Sequence, residues 1–310
     1  MQYKQLPLAD YKISTLAIGS WVFGGKGWGG VQEKNCIDTI AAAREYGINF
    51  IDTAPIYGNG RSEEIIGKAI RGSRDLWIIA TKCGLVRQGK WIVHDLSAKS
   101  ILKEIEESLT RLNVSYIDLY QCHWPDPNIP IEETLQVLLN LEKAGKIRAF
   151  GVCNFDVDLL KKILPLTPFS SLQSQCSLLD RSLEKDIFPL LKKNDIAMLA
   201  YGPLAGGILS GKYRTQPQFK SGDVRQFFYK RYSGDSFAKT QRLLERLKKF
   251  HRPLNQLALN WVRQQPEVTS VLVGCRTPQQ LKENAAAVQW ELSTQEFQEI
   301  KIILDEHDDH

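Results

Sequence analysis

The chain has 310 residues of ordinary globular composition, 43% hydrophobic and 24% charged, enough for a large domain that needs no metal or disulfide to stabilise it. Its 40 basic and 35 acidic residues give a formal charge of +5, dispersed along the chain, which disfavours a nucleic-acid-binding surface but suits an anionic cofactor. Scattered cysteines without zinc spacing, an N-terminus without an apolar signal segment and no run of roughly 18 apolar residues predict a cytoplasmic protein with no bound metal and no membrane contact.

Short apolar runs typical of strands alternate with longer amphipathic stretches along nearly the whole chain. The predicted strands are residues 14–18, 49–52, 77–81, 117–121, 149–152, 171–175, 197–200 and 269–273. The predicted helices between them are residues 33–46, 62–70, 98–112, 131–144, 157–164, 183–193 and 279–286. This unbroken alternation favours an α/β fold whose parallel strands close into a (β/α)8 TIM barrel, with residues 1–310 forming one domain.

A doubly wound open sheet is the alternative to the barrel. Such sheets usually carry a Gly-x-Gly-x-x-Gly turn after the first strand. Residues 19–25 read GSWVFGG and do not match that turn, so the barrel is the better interpretation.

Four segments lie outside the strand–helix repeat. Residues 2–13 predict a short hairpin that could plug the bottom of the barrel, and residues 203–235 form a long loop after strand seven, rich in glycine, aromatic and basic residues. A loop of that length in a compact domain is usually functional. Residues 237–265 predict two further helices, and residues 294–304 predict a C-terminal one.

Polar and titratable residues mark the strand ends, where a parallel barrel places its working residues. In chain order they are Asp52 with nearby Tyr57, Lys82, His123, Asn154, Gln175 and Tyr201. The first four are suited to protonating an oxygen. A lysine ammonium beside a tyrosine favours the phenolate and lowers a pKa that is otherwise about 10. An aspartate would keep that lysine charged, and a histidine would hydrogen-bond a carbonyl.

Three stretches carry a resemblance to a known family. Residues 49–58 read NFIDTAPIYG and are followed by SEEIIG at residues 62–67; residues 117–125 read IDLYQCHWP; and residues 145–155 read GKIRAFGVCNF. The chain resembles the aldo-keto reductases over essentially its whole length. It is most similar to the bacterial NADPH-dependent aldehyde reductases, which also resemble potassium-channel β subunits.

The resemblance implies roles for the strand-end residues. Tyr57 would be the general acid, Lys82 the group that lowers its pKa, Asp52 the counter-ion of that lysine and His123 the group that orients the carbonyl. The residues that would hold the cofactor are Ser20, Trp21, Asp52, Asn154, Gln175, Tyr201, Gly202, Pro203, Leu204, Ala205, Gly206, Lys212, Arg225, Gly274, Cys275, Arg276, Gln280 and Asn284. The substrate would contact Trp21, Tyr57, His123 and Trp124.

Within that set the resemblance also implies finer contacts. Asn154 and Gln175 would bind the nicotinamide carboxamide and Tyr201 would stack on its ring. Cys153 stands where many relatives carry serine, so one hydrogen bond to the carboxamide is expected to be missing while Asn154 remains.

Two segments are suited to the phosphates of the cofactor. Glycine-rich residues 201–212 let backbone amides approach a pyrophosphate, with positive charge from Lys212 and, by the resemblance, from Arg225. Residues 274–280 open a helix whose N-terminus favours an anion. Arg276 there suits a ribose 2′-phosphate by charge and by its fork of donors, which points to NADPH.

These patterns predict an oxidoreductase that reduces aldehydes or ketones to alcohols with NADPH. Its partner would be a small carbonyl compound, and no feature of the sequence sets an oligomeric state. Two alternatives stay open: a regulatory subunit that binds NADPH with vestigial reductase activity, and a lyase that forms a Schiff base through Lys82.

Overall fold

Eight parallel strands close into a barrel in the computed structural model, which describes residues 1–25 and 27–308. The strands of the molecule are β1 (Tyr3–Gln5), β2 (Lys12–Ser14), β3 (Leu16–Gly19), β4 (Phe50–Asp52), β5 (Ile78–Cys83), β6 (Leu85–Gln88), β7 (Trp91–His94), β8 (Ile117–Cys122), β9 (Ile147–Cys153), β10 (Ser171–Gln175), β11 (Ala197–Tyr201) and β12 (Val268–Val273). The barrel runs β3, β4, β5, β8, β9, β10, β11, β12 and closes by pairing β12 with β3. The predicted fold class is confirmed.

Helices surround the barrel. They are α1 (Glu33–Ala43), α2 (Arg61–Ala69), α3 (Ala98–Leu112), α4 (Ile131–Lys143), α5 (Val157–Ile163), α6 (Ile187–Lys193), α7 (Arg225–Phe228), α8 (Gly234–Leu247), α9 (Leu254–Arg263), α10 (Pro278–Ala285) and α11 (Thr294–Asp308). Side-chain caps start several of them where the sequence supplies a short oxygen: for example, Ser97 accepts from the Ser100 amide, and Thr277 accepts from the Gln280 amide. No helix within residues 1–25 and 27–308 combines the length and apolar character that crossing a membrane requires.

The predicted N-terminal hairpin is present and covers the bottom of the barrel. Strands β1 and β2 pair in antiparallel fashion. Leu6 and Ile13 of this hairpin are fully buried in one cluster with Phe50 and Leu119 of the barrel strands. Apolar residues that would otherwise be exposed at the open lower end of the barrel are thus removed from water.

The long segment after β11 is more ordered than its composition suggests. Within residues 203–235 lie a 3₁₀ turn at Ala205–Ser210, the short helix α7 and a second 3₁₀ turn. The two helices predicted before the last strand are α8 and α9. The helix predicted over residues 183–193 begins only at Ile187.

A second hairpin was not predicted from the sequence. Strands β6 and β7 pair in antiparallel fashion around a turn at Gly89 and Lys90. They carry polar residues and no clear apolar alternation, so the pattern gives no strand signal. The hairpin follows β5 directly and therefore stands at the C-terminal end of the barrel, beside the site described next.

Candidate active site

A cavity of about 680 Å³ opens at the C-terminal ends of the barrel strands. The structure brings most of the predicted site residues to its wall: Ser20, Trp21, Asp52, Tyr57, His123, Trp124, Asn154, Tyr201, Gly202, Pro203, Leu204, Gly206, Lys212, Arg225, Gly274, Arg276, Gln280 and Asn284. Lys82, Gln175, Ala205 and Cys275 are not part of the lining. Lys82 lies directly behind Tyr57 and donates to its hydroxyl.

Lys82 is fully buried and makes three hydrogen bonds. Its Nζ donates to Asp52 Oδ2 at 2.6 Å, to the Thr53 carbonyl at 2.9 Å and to Tyr57 Oη at 3.4 Å. A buried ammonium is tolerated only when it is paired and hydrogen-bonded in this way. The ion pair with Asp52 therefore holds a positive charge beside the phenol oxygen.

The pKa values in this cluster follow from burial and charge together. Burial raises the pKa of Tyr57 to about 12, even though the Lys82 ammonium acts to lower it. The expected lowering is thus present but is outweighed by burial. Burial opposes the charge on Lys82, but Asp52 and then Tyr57 outweigh it and raise the pKa of Lys82 above its ordinary value. Tyr57 therefore holds its proton at neutral pH beside a permanently charged lysine.

Tyr57 precedes a turn whose next position has room for glycine only. Gly58, the next residue, has φ 67°, and a Cβ there would lie 2.4 Å from the Gly24 carbonyl oxygen. Two loops, one from β3 and one from β4, therefore approach each other closely beneath the phenol. The Tyr57 side chain is 9% exposed and faces the cavity.

His123 lies beside the phenol as a neutral imidazole. Its ring meets the Tyr57 ring edge to face, with 5.8 Å between centroids. Burial, with Lys82 and His94 acting in the same direction, holds the pKa of His123 well below its ordinary value. A neutral imidazole in this position can donate one hydrogen bond to an oxygen in the cavity.

Two glutamines that were not selected from the sequence hold the second oxygen of Asp52. Gln173 Nε2 donates to Asp52 Oδ1 at 2.8 Å and Gln121 Nε2 donates to the same oxygen at 3.2 Å. Gln173 lines the cavity, whereas Gln175 does not. The structure therefore favours Gln173 over Gln175 as the glutamine of β10 that faces a ligand. The sequence did contain a signal for Gln173: side chains alternate along a strand, so Gln173 lies on the same face of β10 as Gln175.

Asn154 is held between β8 and β11. It has φ 60°, a conformation that asparagine tolerates better than most residues. Its Nδ2 donates to the His123 carbonyl at 3.0 Å, and its Oδ1 accepts from Tyr201 Oη at 2.9 Å. The neighbouring Cys153 is buried and directs its thiol to Gln121 Oε1 at 3.6 Å, away from the cavity.

The glycine-rich segment forms the far wall of the cavity. Gly206 has φ 70°, and a Cβ there would lie 2.7 Å from the Tyr229 ring, so only glycine fits. Ala205 is buried behind this wall, and its amide is already donated to the Gly202 carbonyl. Lys212 lines the same wall. Backbone and one ammonium group are therefore available to an anion there.

The two arginines at this end differ in what they already bind. Arg225 is committed to Asp223 through Nε and Nη2 at 2.8 and 2.6 Å, and it also reaches Tyr213 Oη at 2.9 Å. Much of its charge is thus neutralised, which weakens the role expected for it. Arg276 makes one bond to a neutral group, the Trp28 carbonyl, at 3.0 Å.

Helix α10 begins beside Arg276, and the residues predicted for the adenosine end are hydrogen-bonded to the segment that precedes it. Gln280 Oε1 accepts from the Arg276 amide, and Asn284 Nδ2 donates to the thiol of buried Cys275. Glu283 also lines the cavity here. One guanidinium and two amides therefore supply hydrogen-bond donors at this end and Glu283 supplies an acceptor, a combination that fits a nucleotide that carries phosphates.

Two loops meet at the wall of the cavity and form a strap, residues 21–25 and 27–28 against residues 224–228, that was not predicted from the sequence. The Val224 amide donates to the Gly27 carbonyl at 2.8 Å. The Trp21 and Phe228 rings meet edge to face with 4.9 Å between centroids. Residues that follow β5 and β8, Trp124 among them, line the side of the cavity that lies across the barrel from the residues that follow β11 and β12, and this side is its mouth.

Comparisons with known proteins identify the family of the chain. Residues 15–305 match the aldo/keto reductase family. The chain is 39% identical to the aldo-keto reductase YhdN of Bacillus subtilis, covering 98% of this chain and 94% of that one. It is 35% identical to an NADH-specific methylglyoxal reductase of Escherichia coli, covering 94% and 95% of the two chains.

The fold and the expected likeness to channel subunits are supported in the same way. The solved structure of a glycerol dehydrogenase from Gluconobacter oxydans superposes with a TM-score of 0.90 at 36% identity, covering 98% of this chain and 95% of that one. A probable voltage-gated potassium channel β subunit of Arabidopsis thaliana is 31% identical, over 93% of this chain and 91% of that one.

Proposed function

The chain belongs to the aldo/keto reductase family of oxidoreductases, and from that premise we propose that it reduces aldehydes or ketones to alcohols with NADPH. One observation carries the proposal: the buried Asp52–Lys82 ion pair lies against the Tyr57 phenol, whose hydroxyl faces a cavity beside a neutral imidazole. That arrangement is suited to giving one proton to a carbonyl oxygen.

The nicotinamide, when bound, supplies the hydride that the carbonyl carbon receives. Tyr57 gives its proton to the carbonyl oxygen, and the Lys82 ammonium stabilises the phenolate that remains. Asp52 keeps Lys82 charged and fixed, and Gln121 with Gln173 fixes Asp52. His123, being neutral, donates a hydrogen bond that orients the carbonyl oxygen towards Tyr57.

The residues at the wall fit a dinucleotide cofactor. Asn154 and Gln173 would take the nicotinamide carboxamide, with the ring against Tyr201. The backbone around Gly206 and the Lys212 ammonium would take the pyrophosphate. Arg276, supported by Gln280 and Asn284, would hold the adenosine end.

The preference for NADPH rests on Arg276. Its guanidinium lines the cavity and is bound only to a neutral carbonyl, so it keeps its charge for a ribose phosphate. Glu283 in the same region and the NADH-specific relative argue in the other direction. The Arg276 guanidinium outweighs a single carboxylate because the 2′-phosphate offers two acceptors to its remaining donors.

The test is consumption of each cofactor across a panel of aromatic, aliphatic and sugar-derived aldehydes. We expect several aldehydes to be reduced, with a higher kcat/KM for NADPH than for NADH. If NADPH binds tightly but no carbonyl in the panel is reduced, the regulatory-subunit alternative replaces this proposal. A higher kcat/KM for NADH would overturn the choice of cofactor alone.

The two alternatives gain no support from the site. A regulatory subunit with vestigial chemistry would not need the complete cluster of Asp52, Tyr57, Lys82 and His123. A Schiff-base lysine must lose its proton to attack a carbonyl. Lys82 instead has a raised pKa and three hydrogen-bond acceptors, which disfavours it as a nucleophile.

A further inference from the structure

One cation lies at the mouth of the cavity, far along the chain from the cations at the glycine-rich wall. Arg87 lies on β6, is exposed, and lines the cavity together with its cross-strand partner Ile92. Its Nε donates to Asn59 Oδ1 at 2.8 Å, and Asn59 is two residues beyond Tyr57. Arg87 is therefore held close to the proposed acid.

The hairpin that carries Arg87 is fixed on both sides of the mouth. On one side is the bond between Arg87 and Asn59. On the other, His94 Nδ1 lies 2.7 Å from the Pro125 carbonyl oxygen, and the centroids of the His94 and Trp124 rings lie 6.4 Å apart. The hairpin thus bridges the loop after Tyr57 and the loop after His123, which places Arg87 over the entrance to the reacting end.

The Arg87 guanidinium can still bind a negatively charged group. It donates to the neutral amide of Asn59 through Nε, and it forms no ion pair with any residue in the described part of the chain. The acidic residues of the cavity wall are Asp52 and Glu283. Asp52 is committed to Lys82, and Glu283 lies on α10 at the opposite end of the cavity.

We propose that Arg87 selects carbonyl substrates that carry an anionic group, a carboxylate or a phosphate, at the end remote from the carbonyl. The two terminal nitrogens of a guanidinium match the two oxygens of such a group. Ile92 and Trp124 would hold the apolar body between the two polar ends. The inference rests on the proposed reductase function, whose reacting end it uses.

The chain offers a matched control for the charge. Lys90 lies in the turn of the same hairpin but does not line the cavity. Arg87→Gln and Lys90→Gln each remove one positive charge from this hairpin, and Arg87→Lys keeps the charge while losing the fork of donors. A general electrostatic effect would respond equally to the first two changes.

The substrate pairs are matched as well. 4-Carboxybenzaldehyde is compared with 4-formylbenzamide, and glyceraldehyde 3-phosphate with glyceraldehyde. We expect the wild type to favour the anionic member of at least one pair by about tenfold in kcat/KM, the size expected of a hydrogen bond to a charged group at a partly exposed site. The favoured pair identifies the anion as a carboxylate or a phosphate. The preference should lie mainly in KM and shrink at high salt.

The variants then decide. Arg87→Gln should abolish the preference and leave the neutral substrates within about twofold, Arg87→Lys should keep part of it, and Lys90→Gln should keep all of it. An unchanged preference in Arg87→Gln, an equal loss for anionic and neutral substrates, or no preference in the wild type overturns the inference.

A binding measurement distinguishes failure of this inference from failure of the proposed function. Calorimetry measures the affinity of 4-carboxybenzaldehyde and of 4-formylbenzamide for the complex with NADP+. Arg87-dependent selectivity in binding without any turnover would uphold the anion site and overturn the reductase proposal. Turnover of neutral aldehydes without selectivity in either measurement would do the reverse.

Discussion

The floor and the mouth of the cavity are built in different ways. At the floor, Asp52, Tyr57 and Lys82 are at most 9% exposed, and a continuous set of hydrogen bonds joins them to barrel strands. At the mouth, Ile92 is 49% exposed and Arg87 is exposed as well, and both belong to the β6–β7 hairpin, an insertion between barrel elements. The proposed proton transfer needs fixed distances, and it is located at the floor, where packing fixes them. Substrate recognition is located at the mouth, where the sequence can vary without destabilising the barrel.

The largest expected effect is at the floor. Tyr57→Phe removes the proton donor but keeps the ring, so kcat for reduction should fall by about 10³-fold, within the range of general acid catalysis. The Kd for NADPH, measured by fluorescence, should stay within about threefold of wild type because the hydroxyl is not among the proposed cofactor ligands.

A second tyrosine provides the control for this change. Tyr229 lines the same cavity but is not joined to Lys82. Tyr229→Phe should therefore keep most of the activity. Turnover of Tyr57→Phe close to that of wild type would remove Tyr57 from the proposed mechanism.

Lys82→Met should damage both activity and stability. It leaves the Asp52 carboxylate buried without its partner, a change that costs about 3–5 kcal/mol in free energy of unfolding. It also removes the charge that stabilises the phenolate, so kcat should fall by about 10²-fold or more. Denaturant unfolding and steady-state rates measure the two effects separately.

The double variant Asp52→Asn with Lys82→Met distinguishes the two roles. Removing both charges should recover much of the lost stability because no uncompensated ion remains. Turnover should stay low because no ammonium lies beside Tyr57. Recovery of turnover together with stability would mean that Lys82 serves folding alone.

The contrast between floor and mouth also describes how much of the molecule could be predicted from the sequence. Most barrel strands were predicted because each is a short apolar run, often followed by a polar strand-end residue, as in the stretch from Phe50 to Asp52. The residues Asp52, Tyr57, Lys82 and His123 were selected by position and chemistry, and the structure brings all four together.

The remaining features depend on contacts between distant segments. Gln121 and Gln173 lie two residues before the strand-end positions that drew attention, and only the closed barrel shows that both amides meet Asp52. The engagement of Arg225 by Asp223 follows from the path of the loop. Nothing in residues 85–94 marked a hairpin over the cavity, because its strands alternate poorly.

A smaller effect is expected at the adenosine end of the cavity. Arg276→Met should lower the ratio of kcat/KM for NADPH to that for NADH by about tenfold, because only NADPH loses a charged hydrogen bond. Lys282→Met removes the same charge from α10, the helix that begins beside Arg276, at a position outside the cavity, and should leave the ratio unaltered. An equal decline with both cofactors in Arg276→Met would assign Arg276 to the strap, through its bond to the Trp28 carbonyl.

The smallest effect on reduction concerns its pH dependence, which tests the protonation states of Tyr57 and His123 at the floor. Tyr57 must be protonated to act in reduction, and burial raises its pKa to about 12. The value of kcat/KM for reduction should therefore stay nearly constant up to about pH 10, where an ordinary tyrosine loses its proton. The pKa of His123 is held well below its usual range, so no acid limb is expected near the ordinary histidine value of about 6.5. Alcohol oxidation needs the phenolate and should instead rise by about tenfold per pH unit below the Tyr57 pKa.

The mouth supplies the control for these pH profiles. Arg87 lies on the hairpin and makes its bond to Asn59, outside the cluster that shares the proton. Arg87→Gln should therefore leave both profiles unchanged with a neutral substrate. If kcat/KM for reduction instead falls around neutral pH, a group outside the cluster of Asp52, Tyr57, Lys82 and His123 controls proton transfer. The cluster at the floor would then not be the proton donor.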